Sequence, residues 1–209
     1  MSLSIAINHL GEMKQYDEEG FAYYQQIFAH LNDVLKDNEL PTYQEPIELI
    51  NEHSRAPITS FPYSFLHYLR WVEIQLSVNP QSPLIPINSN DELDDKLNSV
   101  DFVDFMDNPL ISHADNEGYY LPVDFDEVLF DELEKQSIGS SYHLMAVLQD
   151  IAPHFGISLV DGKLTGEEIA RLNQRIDDER AFYRELIVWL ALFEASRLSI
   201  QYHTAIVFA

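Results

Sequence analysis

Two side chains with metal-binding chemistry, His113 and Asp115, lie two residues apart at a predicted loop. An imidazole nitrogen and a carboxylate oxygen both bind divalent cations, but a site needs further ligands from elsewhere in the chain. The candidates for these ligands are His53, His67, His143 and Glu117. Because the chain has neither an HExxH motif nor a His-x3-His pair, the histidines are typical of ordinary hydrogen-bonded residues. We therefore expect no bound metal and no cofactor.

Other motifs that could support catalysis are weak. The stretch 115–118 superficially resembles a calcium loop, but the alternating acids and distal glutamate of an EF-hand are missing. Gly139, Ser140 and Ser141 could bind phosphate at a helix start, although a helix N-cap explains the same residues. The sequence contains no Gly-x-Ser-x-Gly elbow, P-loop or dinucleotide-binding fingerprint. We predict no catalytic residue, with a small metal-dependent or acid/base enzyme using His113 and Asp115 as the alternative.

The strongest signal is an acidic segment, Asp91–Glu134, that contains fifteen acidic residues and a single lysine, Lys96. It carries −14 of the formal net charge of −23, whereas the rest of the chain has 20 acids against 11 bases. Aromatic residues are interleaved with the acids: Phe102, Phe105, Tyr119, Tyr120, Phe125 and Phe130. Carboxylates steer a cationic partner and aromatic side chains supply binding energy, so this segment is the candidate partner surface.

Within the acidic segment, Ser99 can cap a short helix that ends before Pro109. The spacing places Asp101, Asp104 and Asp107 on one face, and Phe102, Phe105 and Met106 on another that anchors the helix to the core. The next residues predict a hairpin of 109–113 and 119–125, with Gly118 in its loop and Pro122 on an edge strand. The predicted partner-binding residues are Asp101, Asp104, Asp107, Asp115, Glu117, Tyr119 and Tyr120.

The leading functional hypothesis is a non-catalytic acidic interaction protein, for example an inhibitor or immunity-type protein that neutralises a basic partner. A net charge of −23 without a basic stripe argues against direct binding to nucleic acid or anionic membrane, since both are polyanions. A third interpretation is a solvated acidic surface on a homo-oligomer or structural protein.

Helical periodicity dominates the chain and predicts an α+β, predominantly α-helical fold with residues 1–209 in a single domain. The predicted helices are 17–38, 61–78, 91–97, 140–152 and 165–196, the last either continuous or broken near Asp177. Alternating residues predict an N-terminal strand at 3–7 and a C-terminal strand at 198–208, which can pair with each other.

Three further expectations concern environment and packing. The absence of cysteine fits a reducing compartment, and the N-terminus lacks the features of a signal peptide, so we predict a cytoplasmic protein. The longest apolar run, Leu186–Phe193, is much shorter than the roughly 20 residues that span a bilayer, and its Trp189 is predicted to be in the core. Positive charge is scarce before residue 135, so Arg70 is predicted to pair with a carboxylate of the acidic segment, with recognition of an anion as the alternative.

Two stretches carry a family resemblance: Ser60–Arg70, and Ser112–Phe125 followed by Gly139–His143. They resemble the marker stretches of a family of uncharacterised bacterial proteins of similar length. The resemblance covers most of the chain and implies one bacterial, cytoplasmic domain, and it implies no activity for any of these residues.

Overall fold

The computed structural model describes residues 2–131 and 133–208 and has eight α-helices, two 3-10 helices and six strands in these ranges. The α-helices are α1 His9–Tyr16, α2 Glu18–Asp37, α3 Tyr63–Val78, α4 Asn90–Leu97, α5 Pro109–Ser112, α6 Ser141–Ile151, α7 Gly166–Asp177 and α8 Tyr183–Tyr202. The 3-10 helices are Phe102–Phe105 and Ala152–Phe155. The strands are β1 Ser2–Ile7, β2 Ser60–Pro62, β3 Gly118–Leu121, β4 Leu129–Asp131, β5 Gln136–Ser140 and β6 Ile206–Phe208.

The strands form one mixed sheet in the order β2-β1-β6-β3-β5-β4. Among the five strand pairs of the described residues, β3–β5 is parallel and the other four are antiparallel. The first and last described strands are neighbours in this sheet, because β1 pairs with β6 in the register Ile5 to Phe208. The predicted pairing of the N-terminal and C-terminal strands and the predicted α+β class are therefore confirmed.

The sheet separates two hydrophobic clusters, because successive side chains of a strand point to opposite faces. Ile206 and Phe208 lie in the larger cluster with residues of α3, α6, α7 and α8, whereas Val207 lies in the cluster formed with α2. Neighbouring Tyr120 and Tyr119 divide between the clusters in the same way. Helices consequently cover both faces of the sheet.

The long helices match their predicted ranges well. Asp17 caps α2 by accepting a hydrogen bond from the backbone N–H of Gly20, and Ser140 caps α6 through the N–H of His143. Of the two alternatives for residues 165–196, the structure has the broken helix, since α7 ends at Asp177 and α8 begins at Tyr183. Trp189 is fully buried on α8 and donates its indole N–H to the carbonyl of Leu148, 2.8 Å away, which confirms its place in the core.

The predicted hairpin of 109–113 and 119–125 is wrong. Residues 109–112 form α5, because the side chain of Asn108 accepts hydrogen bonds from the N–H groups of Leu110 and Ile111, and Pro109 suits the first helical position. Strand β3 is central and ends before Pro122, so this proline is not on an edge strand. The central hairpin is formed instead by β4 and β5.

Two other predicted boundaries are corrected. Ser60–Pro62 is strand β2, paired with β1, so the predicted helix start at residue 61 moves to Tyr63. The C-terminal strand is limited to Ile206–Phe208, because α8 continues to Tyr202 and His203, with φ 53°, ends it in a left-handed conformation. The alternation from residue 198 is compatible with either structure, since Leu198 and Tyr202 also share one helical face. The prediction of a single domain over residues 1–209 stays a prediction.

Candidate functional site

Most carboxylates of the acidic segment are on the surface. Of its fourteen acidic residues that the structure describes, eleven are exposed. They are Asp91, Asp94, Asp95, Asp101, Asp104, Asp107, Glu117, Asp124, Asp126, Glu127 and Glu134. Within the described ranges, none of these eleven is in an ion pair, so their charge is directed at solvent.

Three of these residues, Asp101, Asp104 and Asp107, form what we call the aspartate row. The predicted Ser99 cap is wrong: Asp101 caps the 3-10 helix Phe102–Phe105 by accepting a hydrogen bond from the N–H of Val103 at 3.1 Å. The prediction placed all three aspartates on one face of a helix. In the structure Asp104 lies inside the 3-10 helix, Asp101 is its N-cap in an extended conformation, and Asp107 follows its C-terminal end.

Tyr119 and Tyr120 require a correction, because both lie in the core and not on the candidate surface. Their exposed fractions are 4% and 1%. Tyr119 packs edge-on against Phe28, and the hydroxyl of Tyr120 donates a hydrogen bond to the carbonyl of Pro109 at 2.8 Å. Central strand β3 directs one tyrosine to each face of the covered sheet, so neither can contact a partner in this structure.

The predicted ion pair of Arg70 with the acidic segment is present, and its partner is Asp115. Arg70, buried on α3, also donates to the carbonyls of Leu110 and His113. The other carboxylate oxygen of Asp115 lies 2.7 Å from Nε2 of His67. Burial alone would raise the pKa of Asp115, but the hydrogen bond with His67 and the charge of Arg70 hold it well below its usual range. Asp115 is thus a structural anchor with only part of its side chain exposed.

The ring of His113 is fully enclosed between neighbouring groups. It stacks on Tyr120 with ring centroids 4.1 Å apart, and Nδ1 and Nε2 lie 3.0 and 3.2 Å from the carbonyls of Ala114 and Tyr119. Burial lowers the pKa of His113 to about 4, so the ring is neutral near pH 7. Gly118 is required beside it, since a Cβ there would lie 2.8 Å from the ring and its φ is +129°.

The sequence-predicted metal candidates are therefore engaged with the protein itself. Both ring nitrogens of His113 face backbone carbonyls, and both oxygens of Asp115 face side chains of α3. Of the possible further ligands, His67 contacts Asp115, whereas His143 contacts the carbonyl of Asp126. Across the described ranges no group of three or more His, Cys, Asp or Glu side chains has the arrangement of a metal site.

A family comparison bears on this acidic surface. The family model described as "Putative DNA-mimic protein" matches residues 1–208. The chain belongs to this family. The resemblance carried by Ser60–Arg70 and Ser112–Phe125 is thereby confirmed, and no curated protein and no solved structure matches the chain. Among the described residues of this protein, no helix is long and apolar enough to span a bilayer.

Sequence reasoning missed an apolar groove beside the aspartate row. Phe102 was expected to anchor the helix to the core with Phe105 and Met106, but Phe102 is 48% exposed and Met106 64%. A four-residue 3-10 helix is too short to bury one face fully, and only Phe105 is half-buried. The groove holds about 380 Å³ and is lined by Phe102, Met106, Ile111, Ser112, Val128, Leu129, Phe130 and Ser137.

No sequence pattern predicted the pairing of His30 with Asp131, since the two residues are far apart in the chain. Nε2 of His30 on α2 lies 2.7 Å from a carboxylate oxygen of Asp131, which is buried at the end of β4. The other oxygen of Asp131 accepts a hydrogen bond from the N–H of Leu133. One carboxylate of the acidic segment is therefore used to hold the β4 end against α2, and it is not part of the exposed surface.

Proposed function

We propose that this protein is a non-catalytic DNA mimic whose exposed carboxylates occupy the DNA-binding surface of a basic partner protein. The observation that carries the proposal is a set of eleven exposed carboxylates in one segment, without ion-pair partners among the described residues, in a chain whose family is described as DNA mimics. Proteins that bind DNA neutralise phosphates with lysine and arginine, and a dense set of carboxylates offers the same charge. The partner is accordingly a DNA-binding protein, and an inhibitory role follows from competition with DNA.

The placement of the predicted residues refines the candidate surface. The aspartate row and Glu117 are exposed and available for contact, whereas Asp115 is held by Arg70 and His67. Direct binding to nucleic acid is disfavoured by like charge. The alternative enzyme based on His113 and Asp115 would first have to free a buried ring that is enclosed by backbone carbonyls and a carboxylate that is held by Arg70 and His67, which favours the binding function.

The test is competition with DNA. Partners are captured from a lysate of the source cells with the immobilised protein, and each captured protein is purified and bound to a fluorescein-labelled 30-base-pair duplex. We expect the protein to displace the duplex, as measured by fluorescence anisotropy, and its apparent affinity to fall as salt is raised. A captured protein that releases no DNA at saturating competitor contradicts the proposal.

Replacing Asp101, Asp104 and Asp107 together by asparagine is expected to weaken this competition about ten-fold and to flatten its salt dependence. Each exposed charge contributes roughly 0.2–1 kcal/mol, so three give ~0.6–3 kcal/mol, a range that includes the ~1.4 kcal/mol of one factor of ten. Asparagine is also a good N-cap, so the variant is expected to retain its thermal stability.

The matched control is the triple replacement of Asp37, Asp161 and Asp177 by asparagine. These residues are exposed, lie outside the acidic segment and change the net charge by the same amount. We expect this control to compete nearly as well as the natural sequence. Equal weakening by both triple variants would mean that total charge, and not the aspartate row, determines binding.

A further inference from the structure

Exposed apolar side chains are concentrated in the same segment as the exposed carboxylates. Of the thirteen large hydrophobic residues exposed among the described residues, five lie between residues 102 and 133. They are Phe102, Val103, Met106, Phe130 and Leu133. Single exposed apolar residues need no explanation, but several that line one groove are typical of an interaction site.

The groove has a fixed floor and two walls. Its floor contains buried Ile111 and Ser137, and the hydroxyl of Ser137 accepts a hydrogen bond from the N–H of Ala114 at 3.1 Å. One wall is the 3-10 helix with Met106, and the other is the stretch Val128–Phe130. The hydroxyl of Ser112 lies 2.6 and 2.8 Å from the carbonyls of Phe105 and Met106, which ties α5 to the first wall. The groove is therefore part of the packed structure.

The surroundings of the groove are strongly acidic. Asp101 and Asp107 bracket the 3-10 helix wall, and Glu127 precedes the opposite wall; all three are exposed. Between residues 101 and 137 the only lysine or arginine is Lys135. An apolar groove with such a rim is complementary to an apolar side chain that has lysine or arginine neighbours. A second copy of this chain is a poor occupant, because two acidic rims would face each other.

We propose that this groove binds an apolar side chain of an amphipathic, basic helix on the partner. The inference rests on the proposed function for the identity of the partner as a DNA-binding protein. The groove would give the partner an apolar contact that DNA does not give it, since a phosphate backbone offers no apolar groove. The carboxylates then attract basic proteins in general. The groove adds specificity, because it favours partners that carry an apolar residue beside their basic residues.

The test uses two synthetic helical peptides of identical charge. Both carry lysine and arginine on most of their surface, and one has a stripe of leucines where the other has alanines. We expect the leucine peptide to bind the full chain at least ten-fold more tightly by fluorescence anisotropy. Backbone amide shifts should concentrate in the groove residues of a ¹⁵N-labelled sample. Equal binding of the two peptides would overturn the proposal.

The groove variant is the double replacement Phe102→Ser and Phe130→Ser. Because both side chains are about half exposed, its melting temperature is expected to stay close to that of the natural sequence. The leucine preference should disappear in this variant and persist in the control Tyr16→Ser/Tyr23→Ser, which alters two exposed aromatic residues elsewhere. A leucine preference that survives in the groove variant would overturn the assignment to this groove.

Two further outcomes separate this inference from the proposed function. If the groove variant displaces duplex DNA from the captured partner as well as the natural sequence does, the groove proposal fails while DNA mimicry stands. If the natural sequence itself releases no duplex from any captured protein, while the leucine preference is present and is lost in the groove variant, DNA mimicry fails and apolar binding by the groove stands. Sedimentation that gives a dimer for the natural sequence and a monomer for the groove variant would assign the groove to self-association and overturn the partner proposal.

Discussion

Replacing Arg70 with methionine is expected to lower the free energy of unfolding by about 3–4 kcal/mol. Arg70 is 7% exposed and donates to the carbonyls of Leu110 and His113 as well as to Asp115. Methionine has a similar length and no donors, so two carbonyls lose their partner at a cost of ~1–3 kcal/mol each. Asp115 adds less, because its side chain is 40% exposed and solvent can replace part of the interaction.

The measurement is urea denaturation of the natural sequence and the variant, with Arg180→Met as the control. The side chain of Arg180 is 65% exposed and pairs with Asp178 on the surface, so its loss should change stability by less than about 0.5 kcal/mol. Amide hydrogen exchange should show the same contrast, with faster exchange at residues 110–115 in the Arg70 variant. Similar stability losses for both variants would show that the buried contacts of Arg70 do not hold the acidic segment to α3.

The part of the fold that the sequence predicts well is the part set by local pattern. The apolar stripe of α2 and its start at Asp17 follow from side chains a few residues apart and from a capping residue. The prediction for residues 109–125 was wrong for two different reasons. A local signal for α5 was present but was not used, since Asn108 caps this helix and Pro109 suits its first position. The place of β3 could not be predicted locally, because it pairs with β5 and with β6, the latter almost 90 residues further along the chain.

The same distinction applies to the candidate surface. The exposure of the aspartate row was predictable, because an unpaired carboxylate is costly to bury. The burial of the aromatic residues could not be predicted in this way, since the sequence around Tyr119 and Phe102 is equally compatible with a place in the core and a place in a surface groove. Their placement depends on tertiary structure: β3 is covered by helices on both faces, whereas the 3-10 helix lies at the surface. For Arg70, the sequence predicted an ion pair with a carboxylate of the acidic segment, but it did not indicate that Asp115 is the partner.

Replacing Glu185 with glutamine is expected to stabilise the protein by about 2–3 kcal/mol at pH 8 and to change it little at pH 5. Glu185 is 4% exposed in the first turn of α8, and burial raises the pKa of its carboxyl to about 7 from a usual value of 4.5. The folded protein therefore keeps a proton that the unfolded chain releases between these values. Stability linked to this group is complete below pH 4.5 and is lost as the pH rises through 7.

Glutamine cannot ionise, so the pH-dependent loss attributed to residue 185 should be absent from the variant. The measurement is the difference in unfolding free energy between the two proteins at pH 5 and at pH 8. Glu45 and Glu73 also have pKa values raised by burial to about 7, but they are present in both proteins and their contributions cancel in this difference. Glu48→Gln is the control, because Glu48 is exposed and its replacement should have little effect at either pH. A difference for Glu185→Gln that is the same at both pH values would mean that Glu185 does not retain its proton in the folded protein, and that α8 accommodates its carboxylate in the charged form.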